Sequence, residues 1–152
     1  MKKILFICHG NICRSPMAEY IMKDLVSKRE LTDLFDIASA ATTSEEIGRP
    51  VYPPAKRMLE SHGIDCSDKR ARKITRDDYD HYDLLIIMDR ENLWHMGRYF
   101  PKDPEHKIHM LREYCGDNKE IDDPWSTGDF QGVYDQILEG CTALLDYLLE
   151  TA

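Results

Sequence analysis

The chain has 152 residues, 42% hydrophobic and 32% charged, the size and balance of a single globular domain (residues 1–152) with a core of its own. Its net charge of −8 argues against nucleic acid as a partner and gives no long-range help to an anionic ligand, so an anion site must act locally. No run reaches membrane length and the apolar run Ile4–Ile7 is too short for a leader, so the expectation is a cytoplasmic chain without membrane insertion.

Residues 2–8 read as a buried first strand. Cys8-His9-Gly10-Asn11-Ile12-Cys13-Arg14-Ser15-Pro16 follows, and then a helical face of Met17, Ala18, Ile21, Met22 and Leu25, with Ser15 as cap and Pro16 in first position. Residues 35–40 read as a second strand, which makes a strand–helix–strand unit and the start of a parallel α/β sheet. After a polar loop over 42–54, a helix is predicted from about 54 to 62, stopped by Gly63. The basic run 69–73 reads as a solvated turn. A short helix over 75–81, capped by Thr75, precedes the second clear buried strand, 83–88, and a helix over 89–100. Asp103-Pro104 reads as a turn, 108–111 as a weaker strand, and 116–132 as a long acidic loop of the kind that carries function. An amphipathic helix over 133–149 closes the chain. The periodicity predicts a doubly wound α/β domain.

The chemistry concentrates in residues 8–16. A strand, a short glycine-containing loop and a helix start aim N–H groups and the helix dipole at one point, which suits an oxyanion. Cys8 stands at the strand end. Arg14, six residues on, can grip two phosphate oxygens with its planar fork. Cysteine thiols in cationic, N–H-rich settings ionise at pH ~3.5–7.5 instead of ~8.5. Together these spell phosphoryl transfer through cysteine. The five cysteines are odd in number and scattered, which is not a disulfide framework, and no paired Cys-x-x-Cys or His-x-x-x-His spacing points to a metal.

A phosphocysteine route also needs a proton for the leaving group and later an activated water, and one carboxyl can serve both steps. Asp123 is the candidate, because Pro124 holds its backbone extended; Asp122 is the lesser one.

The string Cys-x-Gly-Asn-Ile-Cys-Arg-Ser-Pro resembles the signature of the low-molecular-weight protein tyrosine phosphatases, and the resemblance runs over nearly the whole chain. It implies a four-stranded parallel sheet with helices on both faces. It also implies a phosphotyrosine-containing protein as substrate; a monomer is the default expectation, and no cofactor or metal is expected because Arg14 and the loop amides supply the positive field. Cys8 is then the nucleophile, and Arg14 with the loop of His9, Gly10, Asn11, Ile12, Cys13 and Ser15 binds phosphate. Asp123-Pro124-Trp125 matches the family's late Asp-Pro-Tyr, with Trp125 walling a slot for a phenyl ring. The second tyrosine of animal members is replaced by Ser126, and Glu45 stands where many members have a tryptophan. Asn11 would brace the loop in a left-handed conformation, and Ser15 would donate to the Cys8 thiolate. Ser39 is implied as a partner of Asn11, and the pair His62-Gly63 as support for the loop from behind. The match of Met88-Asp89 marks a strand-end aspartate. Cys13 is implied as a trap for an oxidised Cys8, giving a redox-sensitive enzyme.

Three other readings compete. A protein arginine phosphatase carries Thr where this chain has Ile12. An arsenate reductase needs two further neighbouring cysteines, and Cys66, Cys115 and Cys141 are far apart. A catalytically inactive phosphate-binding module would need neither Cys8 nor Asp123.

Overall fold

In the computed structural model, which describes residues 1–151, the apolar run near the N-terminus becomes the central strand β1 (Lys2–Cys8). Helix α1 (Arg14–Lys28) returns the chain to β2 (Phe35–Ala41), which pairs with β1 in parallel, Cys8 opposite Ala41. Helices α2 (Pro53–Ser61) and α3 (Arg76–His81) precede β3 (Leu84–Ile87), on the other side of β1, with Ile7 opposite Ile87. Helix α4 (Arg90–Tyr99) leads to the short edge strand β4 (Ile108–Met110). A 3-10 turn (Leu111–Cys115), a one-turn helix α5 (Pro124–Thr127) and the long helix α6 (Phe130–Glu150) complete the chain. The sheet order is β2-β1-β3-β4, all parallel.

The alternation of β1 explains the two covered faces. Ile4, Phe6 and Cys8 point into one apolar cluster with α1, α2 and α6. Leu5 and Ile7 point into the other, with Tyr79 of α3 and Met96 of α4. All four of Ile4, Leu5, Phe6 and Ile7 are fully buried, as a strand covered on both faces requires. The chain moves from β1 outward to β2, then crosses back to β3 on the opposite flank. That reversal opens a crevice at the C-terminal ends of β1 and β3, where doubly wound folds bind ligands. Cys8 ends β1 and Asp89 follows β3, so the topology alone brings them to one place.

Several expectations shift. Ser15 does not cap α1: the helix begins at Arg14 with Cys13 in the capping position and no side-chain cap, and the Ser15 hydroxyl turns to Cys8 instead. The basic run 69–73 is not a solvated turn. Lys69 folds inward against Glu19 and the Ser39 carbonyl, and Arg72 forks onto Asp78 through bonds of 2.9 and 3.0 Å. The loop predicted over 116–132 contains α5 and the first turn of α6. Gly128 ends α5 with φ 77°, and Asp129 caps α6 by accepting from the Gly132 N–H at 2.9 Å. Thr75 caps α3 as predicted, with Asp78 completing a capping box. Helix α6 approaches the 3-10 turn so closely that a Cβ on Gly140 would stand 2.6 Å from Leu111 Cγ.

Candidate active site

The loop between β1 and α1 is held from outside by its carbonyls. Those of Cys8, His9 and Ile12 accept from the backbone N–H groups of Thr42, Thr43 and Tyr52, and that of Cys13 accepts from Met17. The N–H groups of Gly10, Asn11, Ile12 and Cys13 donate to no acceptor among the described residues. Carbonyls outward and amides inward make an anion nest. It lines a cavity of about 320 Å³ with Cys8 and Arg14 on one wall and Asp123 and Trp125 on the other.

Cys8 is nearly buried. Its Sγ lies 2.9 Å from Ser15 Oγ and 3.4 Å from the Ser15 N–H. A thiolate has no proton, so toward it the hydroxyl must donate. Asn11 adopts φ 60°. The side chain of Asn11 donates to Ser15 Oγ at 2.8 Å and Ser39 Oγ at 2.9 Å, and it accepts from the Arg72 N–H at 3.1 Å. Ser39 in turn donates to Glu19 Oε1 at 2.5 Å. Glu19 is buried but neutralised by Lys23 at 2.6 Å and Lys69 at 3.4 Å. A left-handed residue is thus over-determined by three strands of the chain that meet behind it.

Arg14 is 2% exposed. Burial opposes its charge, but the facing Cys8, Asp89 and Asp123 outweigh that and hold the guanidinium more firmly cationic than usual. Nη1 donates to Asp89 Oδ2 at 2.6 Å and to the Ile121 carbonyl at 2.8 Å, while Nη2 lies 3.9 Å from Asp123 Oδ2. Asp89 is itself fixed as the cap of α4, accepting from the Asn92 N–H at 2.8 Å. The Ile121 N–H reaches back to the Met88 carbonyl at 2.9 Å, so the acid-bearing segment is stapled to the end of β3. Beyond the staple, Asp123 accepts from the Trp125 N–H at 3.1 Å, and Trp125 leans on Tyr52 with ring centroids 4.7 Å apart.

Other expected site residues are placed as follows. Gly10 packs under Glu46, whose Cγ would lie 3.3 Å from an added Cβ. Ile12 is half-buried at the cavity edge. Cys13 is buried at the lining of the cavity, where burial and the nearby Cys8 and Asp123 push its thiol well up, keeping it protonated. The His9 side chain lines the cavity and is engaged by two carboxylates: Nδ1 lies 3.1 Å from Glu91, and Nε2 contacts Glu45. His62 does not support the loop. It stands exposed at the end of α2, stacked on Tyr134 at 4.1 Å, because α2 packs there on α6. Sequence reasoning missed Glu19, Tyr52, Arg72 and the Ile121 carbonyl. Only Glu19 left a signal, four residues after Ser15 on the same helix face. It also missed the cluster that His9 makes with Glu91 and His95, whose ligating atoms gather within 4.8 Å of one another at the cavity rim.

A thiol among free amides and a buried guanidinium, with a carboxyl across the opening, fits the displacement of a phosphate monoester through sulfur. The fold and this cavity therefore define a cysteine-dependent phosphatase. The family described as low molecular weight phosphotyrosine protein phosphatase matches residues 3–152. The chain is 37% identical over 150 residues to the low molecular weight phosphotyrosine protein phosphatase of Rattus norvegicus, covering 95% of this chain and 94% of the relative. The crystal structure of YfkJ from Bacillus subtilis superposes with a TM-score of 0.96 at 34% identity, over 99% of this chain and 96% of that one. A Drosophila arginine phosphatase structure gives a TM-score of 0.86 at 36% identity, over 97% and 98% of the two chains. The chain belongs to the low molecular weight phosphotyrosine protein phosphatase family.

Proposed function

We propose that the chain hydrolyses phosphotyrosine in proteins through a phosphocysteine intermediate. The observation that carries this reading is the ring of unengaged N–H groups of residues 10–13, with Cys8 and Arg14 lining the same cavity. The phosphate's non-bridging oxygens accept from these amides and from Arg14, which stabilise charge as it spreads over them in the transition state. Cys8 Sγ attacks phosphorus in line, and Asp123 delivers a proton to the departing phenolate oxygen. The bared Asp123 carboxylate then takes a proton from the water that cleaves the S–P bond, releasing phosphate and regenerating both groups. Trp125 and Ile12 flank the ring of the leaving group. The chemistry asks nothing of a metal, since the positive field comes from Arg14 and the amides.

Peptides carrying phosphotyrosine or phosphoarginine, assayed in chelator with wild type and Cys8→Ser, test the reading. The expected result is phosphotyrosine turnover that falls at least ~10⁴-fold in Cys8→Ser while the fold is kept. Preference for phosphoarginine keeps the nucleophile but makes the chain an arginine phosphatase, like its Drosophila relative. No turnover of either by wild type makes it a phosphate-binding module.

All five cysteines are free thiols, which suits a cytoplasmic location. Among the described residues, no helix is long and apolar enough to cross a membrane. Within this reading, peroxide inactivates the enzyme through Cys8, and a dithiol restores it from a Cys8–Cys13 disulfide.

A further inference from the structure

At the rim of the cavity, His9 Nδ1 lies 3.1 Å from Glu91 Oε1, and His95 Nε2 lies 3.9 Å from the same oxygen. All three ligating atoms fall within 4.8 Å of one another. Zinc bound at ~2.0–2.2 Å by tetrahedral nitrogen and oxygen ligands needs neighbouring ligands about 3.3–3.5 Å apart. Small side-chain rotations close the difference. Glu91 and His95 are one turn apart on rigid α4, and His9 comes from the braced catalytic loop.

A second observation points the same way. The far nitrogen of His9, Nε2, contacts Glu45. A carboxylate on the outer nitrogen is the arrangement that orients a metal-bound imidazole and raises its basicity. A ring nitrogen facing a carboxylate must place something positive between them. With Nε2–H given to Glu45, the gap between Nδ1 and Glu91 takes either a second proton or a cation.

We propose that His9 Nδ1, Glu91 and His95 form a site for a borderline divalent cation, zinc first, with Glu45 as the outer partner of His9. Binding forms coordinate bonds from Nδ1, Oε1 and the His95 Nε2; because each ligand atom must offer a lone pair, protons compete with the cation for the site. The cation would tie the catalytic loop to α4 at the edge of the cavity. It takes no part in the phosphatase reaction.

The Cys8 thiolate is a competing zinc ligand, so the test is made without it. Zn²⁺ is titrated by calorimetry, in two buffers of different ionisation heat, into Cys8→Ser. The same titration is made into Cys8→Ser combined with His95→Ala, Glu91→Gln or Glu45→Gln. The expected result is one equivalent bound with proton release, weakened at least tenfold by His95→Ala or Glu91→Gln and roughly tenfold by Glu45→Gln. Co²⁺ in the Cys8→Ser protein should give a visible d–d band without thiolate charge transfer in the near ultraviolet. Circular dichroism checks that each variant is folded. Absence of Zn²⁺ binding in Cys8→Ser overturns the proposal. So does binding that neither His95→Ala nor Glu91→Gln weakens. Every arm lacks the nucleophile and reads binding alone, so it fails or holds separately from the phosphatase reading.

Discussion

Asn11 braces from behind the loop that forms the phosphate wall of the cavity, Asp123 lines the acid wall itself, and the two are held in opposite ways. Asn11 is 1% exposed, and each polar atom of its side chain is bonded, to partners from α1, β2 and the segment after α2. The Asp123 side chain is 38% exposed; it is tied locally to the Trp125 N–H and faces Arg14 at 3.9 Å. The phosphate wall is fixed before anything binds, so its donors need no reorganisation as charge develops. The acid wall is attached at one end and open at the other. In the proposed mechanism it serves two steps, giving a proton and then taking one, and the second needs room for water where the leaving group was.

The comparison is tested hardest at the acid. Asp123→Ala should lower turnover of alkyl phosphates by roughly 10²–10⁴-fold and of p-nitrophenyl phosphate far less, since a good leaving group needs no proton. Its melting temperature should stay within a few degrees of wild type, as expected for an exposed side chain. An equal loss for both substrates would move the acid elsewhere, Asp122 first. On the other wall the balance reverses. Asn11→Ala leaves the left-handed backbone without its bonds and strands Ser39 and the Arg72 N–H. It should cost about 2–4 kcal/mol, a fall of roughly 5–15 °C in Tm. An Asn11→Ala protein that melts with wild type would remove the contrast between the walls.

A smaller effect probes the outer layer of that brace. Asp78 is buried, which alone would raise its pKa, but the Arg72 fork and the Thr75 cap outweigh burial and hold it below the usual carboxylate range. A depressed native pKa stabilises the fold fully above the unfolded value, near pH ~4, and loses that contribution as pH falls toward the native one. Asp78→Asn should therefore cost about 1–2 kcal/mol at pH 7, discounted because Arg72 is partly exposed. The gap to wild type should shrink below pH ~4 in denaturant titrations. A gap that grows on acidification would reverse the assignment. Last, Trp125→Ala should raise KM for aryl phosphates about two- to tenfold with little change in kcat. A loss confined to kcat would mean that Trp125 positions Asp123 instead of walling the slot.

What could be read from the sequence follows the range of the contacts. The strand, the loop and Arg14 lie within fifteen residues, and their chemistry shows in their order. Asp123 is legible as an Asp-Pro candidate, but only the resemblance separates it from Asp103-Pro104. Arg72 and the Ile121 carbonyl act across separations of 61 and 107 residues, through backbone groups that no side-chain pattern reports. His62 misled because a His-Gly pair at a helix end looks the same whether it faces the loop or, as here, Tyr134. The start of α6 was hidden by Gly132, which suggests a loop but stands in the first turn, where its bare Cα leaves room for the Asp129 carboxylate.

The staple at Ile121 has a geometric consequence. Its carbonyl is bonded to Arg14 and its N–H to Met88, so the segment is pinned beside the phosphate site. Asp123 lies two residues beyond that pin, and two residues of chain reach at most about 7 Å. The proposed proton donor is therefore confined to a short arc about Ile121. Insertions between 121 and 123 would shift the donor off that arc, whereas changes beyond Trp125 would reshape the mouth and leave the radius alone. Partner preference could then diversify at the mouth while the proposed proton transfer keeps its geometry.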